Sequence, residues 1–242
     1  SFGVLGWSAW TRTLTTPNDW RDWADKGAQS GPVGLGHMPS SDLPMMLRRR
    51  ATPVGRTALG AAMSLPLVED ARYILSSRYG ELDRTASILS SLIEKEPVSP
   101  ADFSMSVHHG LVGLLSIALK NTRGHGAVAG GAESFCYGLL EAAACIADRP
   151  DEPVILIHYD ECPESAFVAQ VDDQTRAGPV VVAVCLSGQA GDEGLSMEMR
   201  AGPRGDGPST SSHILDFLRF VLTDARSSTS HGDRLSWEWS RA

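Results

Sequence analysis

Residues 106–115 read SVHHGLVGLL. The run Phe103-Ser104-Met105-Ser106-Val107 alternates apolar and polar residues, two histidines follow, and Gly110 precedes an apolar stretch from Leu111 to Lys120. Period-two alternation fits a strand, glycine fits a tight turn, and the apolar stretch fits a helix. The expected local structure is therefore strand, turn and helix start. In layered α/β proteins, turns at the carboxyl ends of strands bind ligands and carry nucleophiles. His109 would sit at the positive end of the helix dipole, which disfavours the imidazolium and leaves a neutral ring able to act as a base or to meet a carbonyl.

Strand-like and helix-like segments alternate on both sides of this stretch. PNDWRDWADK, with Asn18 or Asp19 as cap and Gly27 as stop, predicts a helix; residues 28–44 predict a loop; and residues 55–65 predict a helix of small and apolar residues. ARYILSS predicts a strand with a turn at Gly80. The helix after it would turn Ala86, Leu89, Leu92 and Ile93 to one face. Downstream, GHGAVAGG predicts a short strand ending in a glycine pair, SFCYGLLEAAACIA a helix, and EPVILIHYDE and GPVVVAVCLSGQ two apolar strands that pair as a hairpin. Residues 188–212 predict a flexible loop, HILDFLRFVL an amphipathic helix, and LSWEWSRA a strand with Leu235, Trp237 and Trp239 on one face. This order predicts one α/β domain over residues 1–242, with a mainly parallel sheet and helices on both faces.

Composition limits the function classes. The chain has 242 residues, is 42% hydrophobic and 21% charged, and carries a formal net charge of -8. That balance suits a globular domain and argues against general nucleic-acid binding. No apolar run approaches the roughly 20 residues that span a bilayer, and the first residues lack the pattern of a signal peptide. Cys136, Cys145, Cys162 and Cys185 have no zinc-ligand spacing. Cys145 and Cys185 lie in apolar runs and are expected to be buried. A reducing, cytoplasmic compartment is expected. His125 and His158 show no HxH or HxxxH spacing, so no metal is expected. GHGAVAGGAE is not a phosphate loop, and no G-x-S-x-G elbow is present. Asp160 and Glu161 read as a solvated strand end. Arg48 to Arg50 read as a solvated patch, or as a contact for an acidic partner.

The stretch AVAGGAES (127–134) resembles the VAGGAE strand and turn of the β-ketoacyl-acyl-carrier-protein synthases, condensing enzymes of thiolase fold. Upstream, those enzymes carry a nucleophilic cysteine in a TAC-x-S-G turn at the start of a buried helix. The matching turn here is SVHHGLVG, and His109 falls at the cysteine's place. ARYILSSRYGELDRT, PVSPADFSMSV and EPVILIHYDE also resemble family segments. VLGWSAW and DWRDWA, with SVHH in place of SVHN, resemble a subgroup of short proteins described as chain-length factors of aryl polyene biosynthesis. The resemblance spans residues 4–190.

The resemblance implies a half-length thiolase-like fold: a layered unit with a mainly parallel five-stranded sheet plus C-terminal additions. It departs from the family twice. The cysteine is absent, and His109 cannot form a stable thioester. The two decarboxylation histidines come from the family's second half, and His213 and His231 lack their motifs. The resemblance thus implies a catalytically silent subunit that pairs with an active synthase and shapes its acyl tunnel. Val107, His108, His109 and Gly110 would line the tunnel. Phe103, Ser104, Met105 and Ser106 would lie at the interface on an edge strand. Gly130, Gly131 and Glu133 would be structural. No cofactor is implied, and acyl carrier protein is a second candidate partner. The alternatives are an acyl hydrolase or acyltransferase that uses His108 or His109 with an unidentified serine, and a homodimeric acyl-chain or carrier-protein binder.

Overall fold

The structure, a computed structural model, describes residues 1–26, 43–160, 178–189, 194–202, 212–232 and 235–241. The first elements are β1 (Gly3–Thr11), α1 (Pro17–Lys26), α2 (Met45–Arg48), α3 (Pro53–Met63) and β2 (Arg72–Ser76). Then come α4 (Leu82–Glu94), α5 (Pro100–Met105), α6 (His109–Leu119), β3 (His125–Val128), α7 (Ser134–Asp148) and β4 (Val154–Asp160). The chain closes with β5 (Val180–Ser187), β6 (Leu195–Ala201), α8 (His213–Leu222), β7 (Ser227–His231) and β8 (Leu235–Arg241). Most of the expected 28–44 loop, Gly27, Glu161 and Cys162 lie outside the described residues.

The main sheet has the order β1-β5-β4-β2-β3. β2 pairs in parallel with β3 and β4, whereas β5 runs antiparallel to β4 and β1. Four strands therefore point one way and β5 is reversed, so the sheet is mainly parallel as expected. β4 and β5 pair as the expected antiparallel neighbours, with Val154 opposite Leu186 and Asp160 opposite Val180. Both are continuous apolar runs because both faces of the sheet are covered. One face packs on α3 and α6 through Leu59, Leu111 and Leu115 against Leu75, Ile157 and Ala183. The other packs on α7 and α8 through Phe135, Leu139 and Phe217, and on a second antiparallel sheet of order β6-β8-β7. Trp237 and Trp239 of β8 are fully buried there, on the face the sequence assigned to them.

Helix starts follow local chemistry. At α1 the cap is Thr16, ahead of the expected Asn18 or Asp19: Asp19 N–H donates to the Thr16 hydroxyl, and the Asp19 carboxylate accepts from Thr16 N–H in return. α3 begins at Pro53, capped by Thr52, which accepts from Gly55 N–H.

Three expectations are corrected. No strand precedes His109. Ser99 accepts the N–H of Asp102 and Pro100 fills the first helical position, so Phe103, Ser104 and Met105 lie in helix α5 and Ser106 caps it. Five alternating residues carry less information than a capped proline start. Gly110 is likewise no turn: it lies inside α6, where an added Cβ would stand 3.1 Å from the Met105 Cα and the Ser104 carbonyl. Within 188–212, Leu195–Ala201 is a strand that pairs with β8, with Met197 opposite Trp239. Cross-strand partners at the far end of the sequence fix it, and no local pattern shows them. α4 forms as expected with its apolar residues on one face, and none of its residues is buried.

Among the described residues no helix is long and apolar enough to cross a membrane. Cys136, Cys145 and Cys185 are free thiols. Cys185 is buried as expected, whereas Cys145 is half-buried.

The second sheet is part of the core, because Trp239 stacks edge-on to Phe217 at 5.4 to 5.5 Å spacings that continue to Phe135. Trp239→Ala is expected to lower unfolding free energy by about 3–5 kcal/mol, read from urea denaturation. A loss below about 1 kcal/mol would show that the sheet only decorates the core.

Candidate functional site

The parallel strands β2, β3 and β4 end at the same edge of the sheet, and three segments meet there: 77–81, 106–110 and 129–134.

The first segment is held by one carboxylate. Asp160, at the end of β4, accepts from the Ser77 hydroxyl at 2.9 Å, from Arg78 N–H at 2.9 Å and from Tyr79 N–H at 3.1 Å. Its second oxygen lies 3.2 Å from His158 Nε2, and His158 Nδ1 lies 2.8 Å from Ser76 Oγ. Asp160 is thus the anchor of the 77–80 turn and not the solvated strand end expected from the sequence. The order serine, imidazole, carboxylate resembles a hydrolytic triad. Ser76 is fully buried, however, and its side chain fills the space beside Gly138, so its hydroxyl has no room for a substrate.

Glu81 closes the same turn. It accepts from Tyr159 at 3.2 Å and Thr52 at 3.4 Å and pairs with Arg84 at 2.9 Å. Arg84 also pairs with Asp102 at 2.8 Å and donates to the Arg50 carbonyl at 2.6 Å. One guanidinium therefore ties α2, α4 and α5 together. Burial first, and the Glu81 carboxylate second, push the Tyr159 hydroxyl well above the usual tyrosine range. Arg48, Arg49 and Arg50 are exposed, and among the described residues no carboxylate pairs with them.

The second segment carries the histidines. His108 is half-buried, and its ring lies 3.0 Å from where a Cβ on Gly80 would stand. Gly80 has φ +56, so glycine is required both for the turn and for the ring. His108 Nε2 is buried with no hydrogen-bond partner. His109 is exposed, and its ring centre is 5.4 Å from that of His125, at the start of β3. Among the described residues no serine hydroxyl bonds to either His108 or His109, and no group of three ligands is placed to hold a metal. Val107, Phe103 and Ser104 are exposed, Gly110 and Ser106 are half-buried, and Met105 is buried.

The third segment is a strand-to-helix turn. β3 ends at Val128, Gly131 takes φ +65, and residues 131–133 form a single 3-10 turn into α7, whose Phe135, Cys136, Leu139 and Ala142 are buried. Ser134 stitches the turn: its hydroxyl accepts from Gly130 N–H and donates to the Gly131 carbonyl. Gly131 is exposed, and Glu133 is buried beneath it. The strand, turn and buried helix expected around His109 are thus found here instead. The sequence signal was the glycine pair of AVAGGAES.

Burial, and secondarily the neighbouring His109, lower the pKa of His125 below the usual histidine value. The folded state therefore prefers the neutral ring. Its contribution to stability is present above about pH 6.5 and is lost as pH falls through the lower folded value. His109→Gln is expected to raise the His125 pKa in an NMR titration, and His125→Gln to flatten the fall of stability below about pH 6.5. A His125 that titrates at the ordinary value would contradict this.

The family model described as beta-ketoacyl synthase, N-terminal domain, matches residues 20–240. No curated protein matches the chain significantly. Among solved structures, a chain of the ketosynthase (ApeO) in complex with its chain length factor (ApeC) from Xenorhabdus doucetiae is similar at 28% identity and a TM-score of 0.84, over 100% of this chain and 99% of that one. The ishigamide ketosynthase/chain length factor is similar at 17% identity and a TM-score of 0.64, over 85% and 69% of the two chains. The AntDE:AntF complex, a type II acyl-carrier protein with its ketosynthase, contains a chain similar at 9% identity and a TM-score of 0.65, over 100% and 99%. The last two likenesses concern the fold alone. With its thiolase-like layers and a family match along most of its length, the chain belongs to the beta-ketoacyl synthase family, through that family's N-terminal domain.

Proposed function

We propose that this protein is a catalytically silent ketosynthase-like subunit, a chain-length factor. It pairs with an active β-ketoacyl-acyl-carrier-protein synthase in aryl polyene or fatty-acid-type chain elongation and shapes the far end of the acyl tunnel. The observation that carries this reading is the likeness, end to end on both chains, to a chain of a ketosynthase–chain length factor complex. Acyl carrier protein is a second partner of the assembly, as in the complex of a ketosynthase with its carrier protein. The cytoplasm suits the free thiols.

The chemistry of the turns supports silence. A condensing nucleophile needs an accessible thiolate on a strand-to-helix turn. We assign the vacated position to Gly131 rather than His109, which sets aside the likeness of AVAGGAES to the family's VAGGAE turn, because β3, Gly131 and α7 form the strand, turn and buried helix that such a nucleophile uses. The nearest cysteine in sequence, Cys136, is fully buried, and burial pushes its thiol well above the usual range. His108 then lines the tunnel end beside Gly80, not the reaction centre. The outer edge of the sheet on this side is β3, which pairs only with β2 among the described residues.

Co-expression with a ketosynthase encoded beside it is expected to give a 1:1 heterodimer by native mass measurement, and the isolated chain is expected not to condense acyl and malonyl units. Condensation by the isolated chain, or a stable homodimer indifferent to the synthase, would overturn the reading.

A second outcome separates the tunnel role from the enzyme alternative. His108→Ala removes the ring that packs on Gly80, so the heterodimer is expected to turn over within about twofold of the wild-type rate, a barrier change of under ~0.5 kcal/mol, and to make longer products. Lost turnover with an intact complex would favour an acyl hydrolase or acyltransferase that uses this histidine.

A further inference from the structure

At the end of the main sheet opposite the candidate site, Arg72 and the last two turns of α7 border a cleft of about 240 Å³. Its lining is Arg72, Glu141, Ala144, Cys145, Asp148 and Arg149. Glu141, Ala144, Cys145 and Asp148 fall at helical spacing, so α7 presents them as one stripe. Arg72 begins β2 and meets that stripe from the sheet. Its guanidinium lies against Gly124, whose φ is +92: a Cβ there would stand 3.8 Å from Nη1 and 3.9 Å from both Cζ and Nη2. Such near-equal distances mean that the flat face of the guanidinium covers the glycine. The N–H donors lie in that plane and are directed past the glycine rather than at it.

Arg72 is half-buried, and among the described residues no carboxylate or carbonyl accepts from its guanidinium. The neighbouring arginines differ. Arg123 reaches Asp70 at 3.9 Å and Glu152 at 3.8 Å, and Arg149 reaches Glu152 at 3.3 Å and Asp148 at 3.6 Å. Compensation of the helix dipole does not account for Arg72 either, because Arg149 already stands just past the end of α7. Asp148 is engaged by Arg149, so Glu141, exposed and unpaired among the described residues, is the carboxylate left uncommitted. One cation and one anion thus border the same cleft without meeting. A planar fork of donors matches the two oxygens of a carboxylate. An anion alone would also face Glu141 and Asp148, and a cation alone would face Arg72 and Arg149, so the lining selects a molecule that carries both charges. The volume is below the roughly 300 Å³ at which pockets for drug-sized ligands begin, so that molecule is small. Burial first, and the Glu141 carboxylate second, push the Cys145 thiol above its usual range, so it stays protonated and forms an unreactive wall. We infer that this cleft binds a small zwitterion of amino-acid size, with its carboxylate on Arg72 and its ammonium on Glu141.

Glycine, β-alanine and γ-aminobutyrate hold the two charges at increasing separations and serve as probes, with acetate and methylammonium as the single-charge halves. Titrated into isotope-labelled full-length protein and followed by NMR, at least one of the three is expected to shift the amide signals of Gly124 and residues 141–149 saturably, at millimolar concentration. Acetate and methylammonium are each expected to bind at least about tenfold more weakly than that zwitterion. Arg72→Gln is expected to abolish its binding. Glu141→Gln, at an exposed position, is expected to weaken the zwitterion at least about tenfold and to leave acetate unchanged, a split that loss of folding cannot produce. If acetate binds the wild type as tightly as the zwitterions, the cleft is a plain anion site and the inference is overturned. It is overturned equally if none of the three shifts these signals, or if Arg72→Gln binds as the wild type does.

Discussion

The site end of this fold depends on the burial of two carboxylates, Asp160 and Glu81. A carboxylate withdrawn from water is tolerated only where donors replace its hydration. Asp160 meets that requirement with the backbone N–H groups of Arg78 and Tyr79 and with the Ser77 hydroxyl, so the chain leaving β2 has one course to follow. Glu81 does so with Tyr159, Thr52 and Arg84, and these draw in the caps of α3 and α4. Removing either carboxylate would strand several donors at once. The turn at Gly80, and the His108 ring that rests on it, thus inherit their geometry from residues that look like ordinary surface charges in the sequence.

Much of the architecture is legible in the sequence, and the failures share a cause. Continuous apolar runs such as VILIHY and VVVAVCL could only be strands covered on both faces, and the Trp237 and Trp239 alternation held because one face of β8 is buried. What misled was local pattern without its surroundings. The FSMSV alternation is overruled by Ser99 and Pro100, which begin a helix before the alternation can act. Leu195–Ala201 looks like part of a polar loop because its partner strand, β8, comes only after an intervening helix and strand. Asp160 looks solvated because its donors belong to a turn over eighty residues upstream in the sequence.

The candidate site was legible as a neighbourhood, and its local backbone was not. SVHHG and AVAGG do come together, through the contact of His109 with His125 at the base of β3. The sequence could not show which of the two turns follows a strand. That distinction governs chemistry. A residue on a strand-to-helix turn is presented outward by a fixed backbone, whereas His109 begins a helix that follows another helix. A glycine with φ +56 to +65 at such a corner preserves backbone shape without a side chain to react. Such a corner keeps its shape whether or not it carries a reactive side chain. The stitching of Gly130, Gly131 and Ser134 is made of backbone and one hydroxyl.

The helix α4 shows where reading from a single chain reaches its physical boundary. An amphipathic pattern states that one face of a helix avoids water. It carries no information on whether the covering atoms belong to the same chain. Ala86, Leu89, Leu92 and Ile93 satisfy every rule for a core-facing stripe, yet the core is complete without them. Each of the two cores already has its own helices, α3 and α6 on one face of the sheet and α7 and α8 on the other. A helix held in place by Arg84 while its apolar face stays bare is therefore positioned for something outside the chain. The same ion pairs that close the 77–81 turn also hold that face in place.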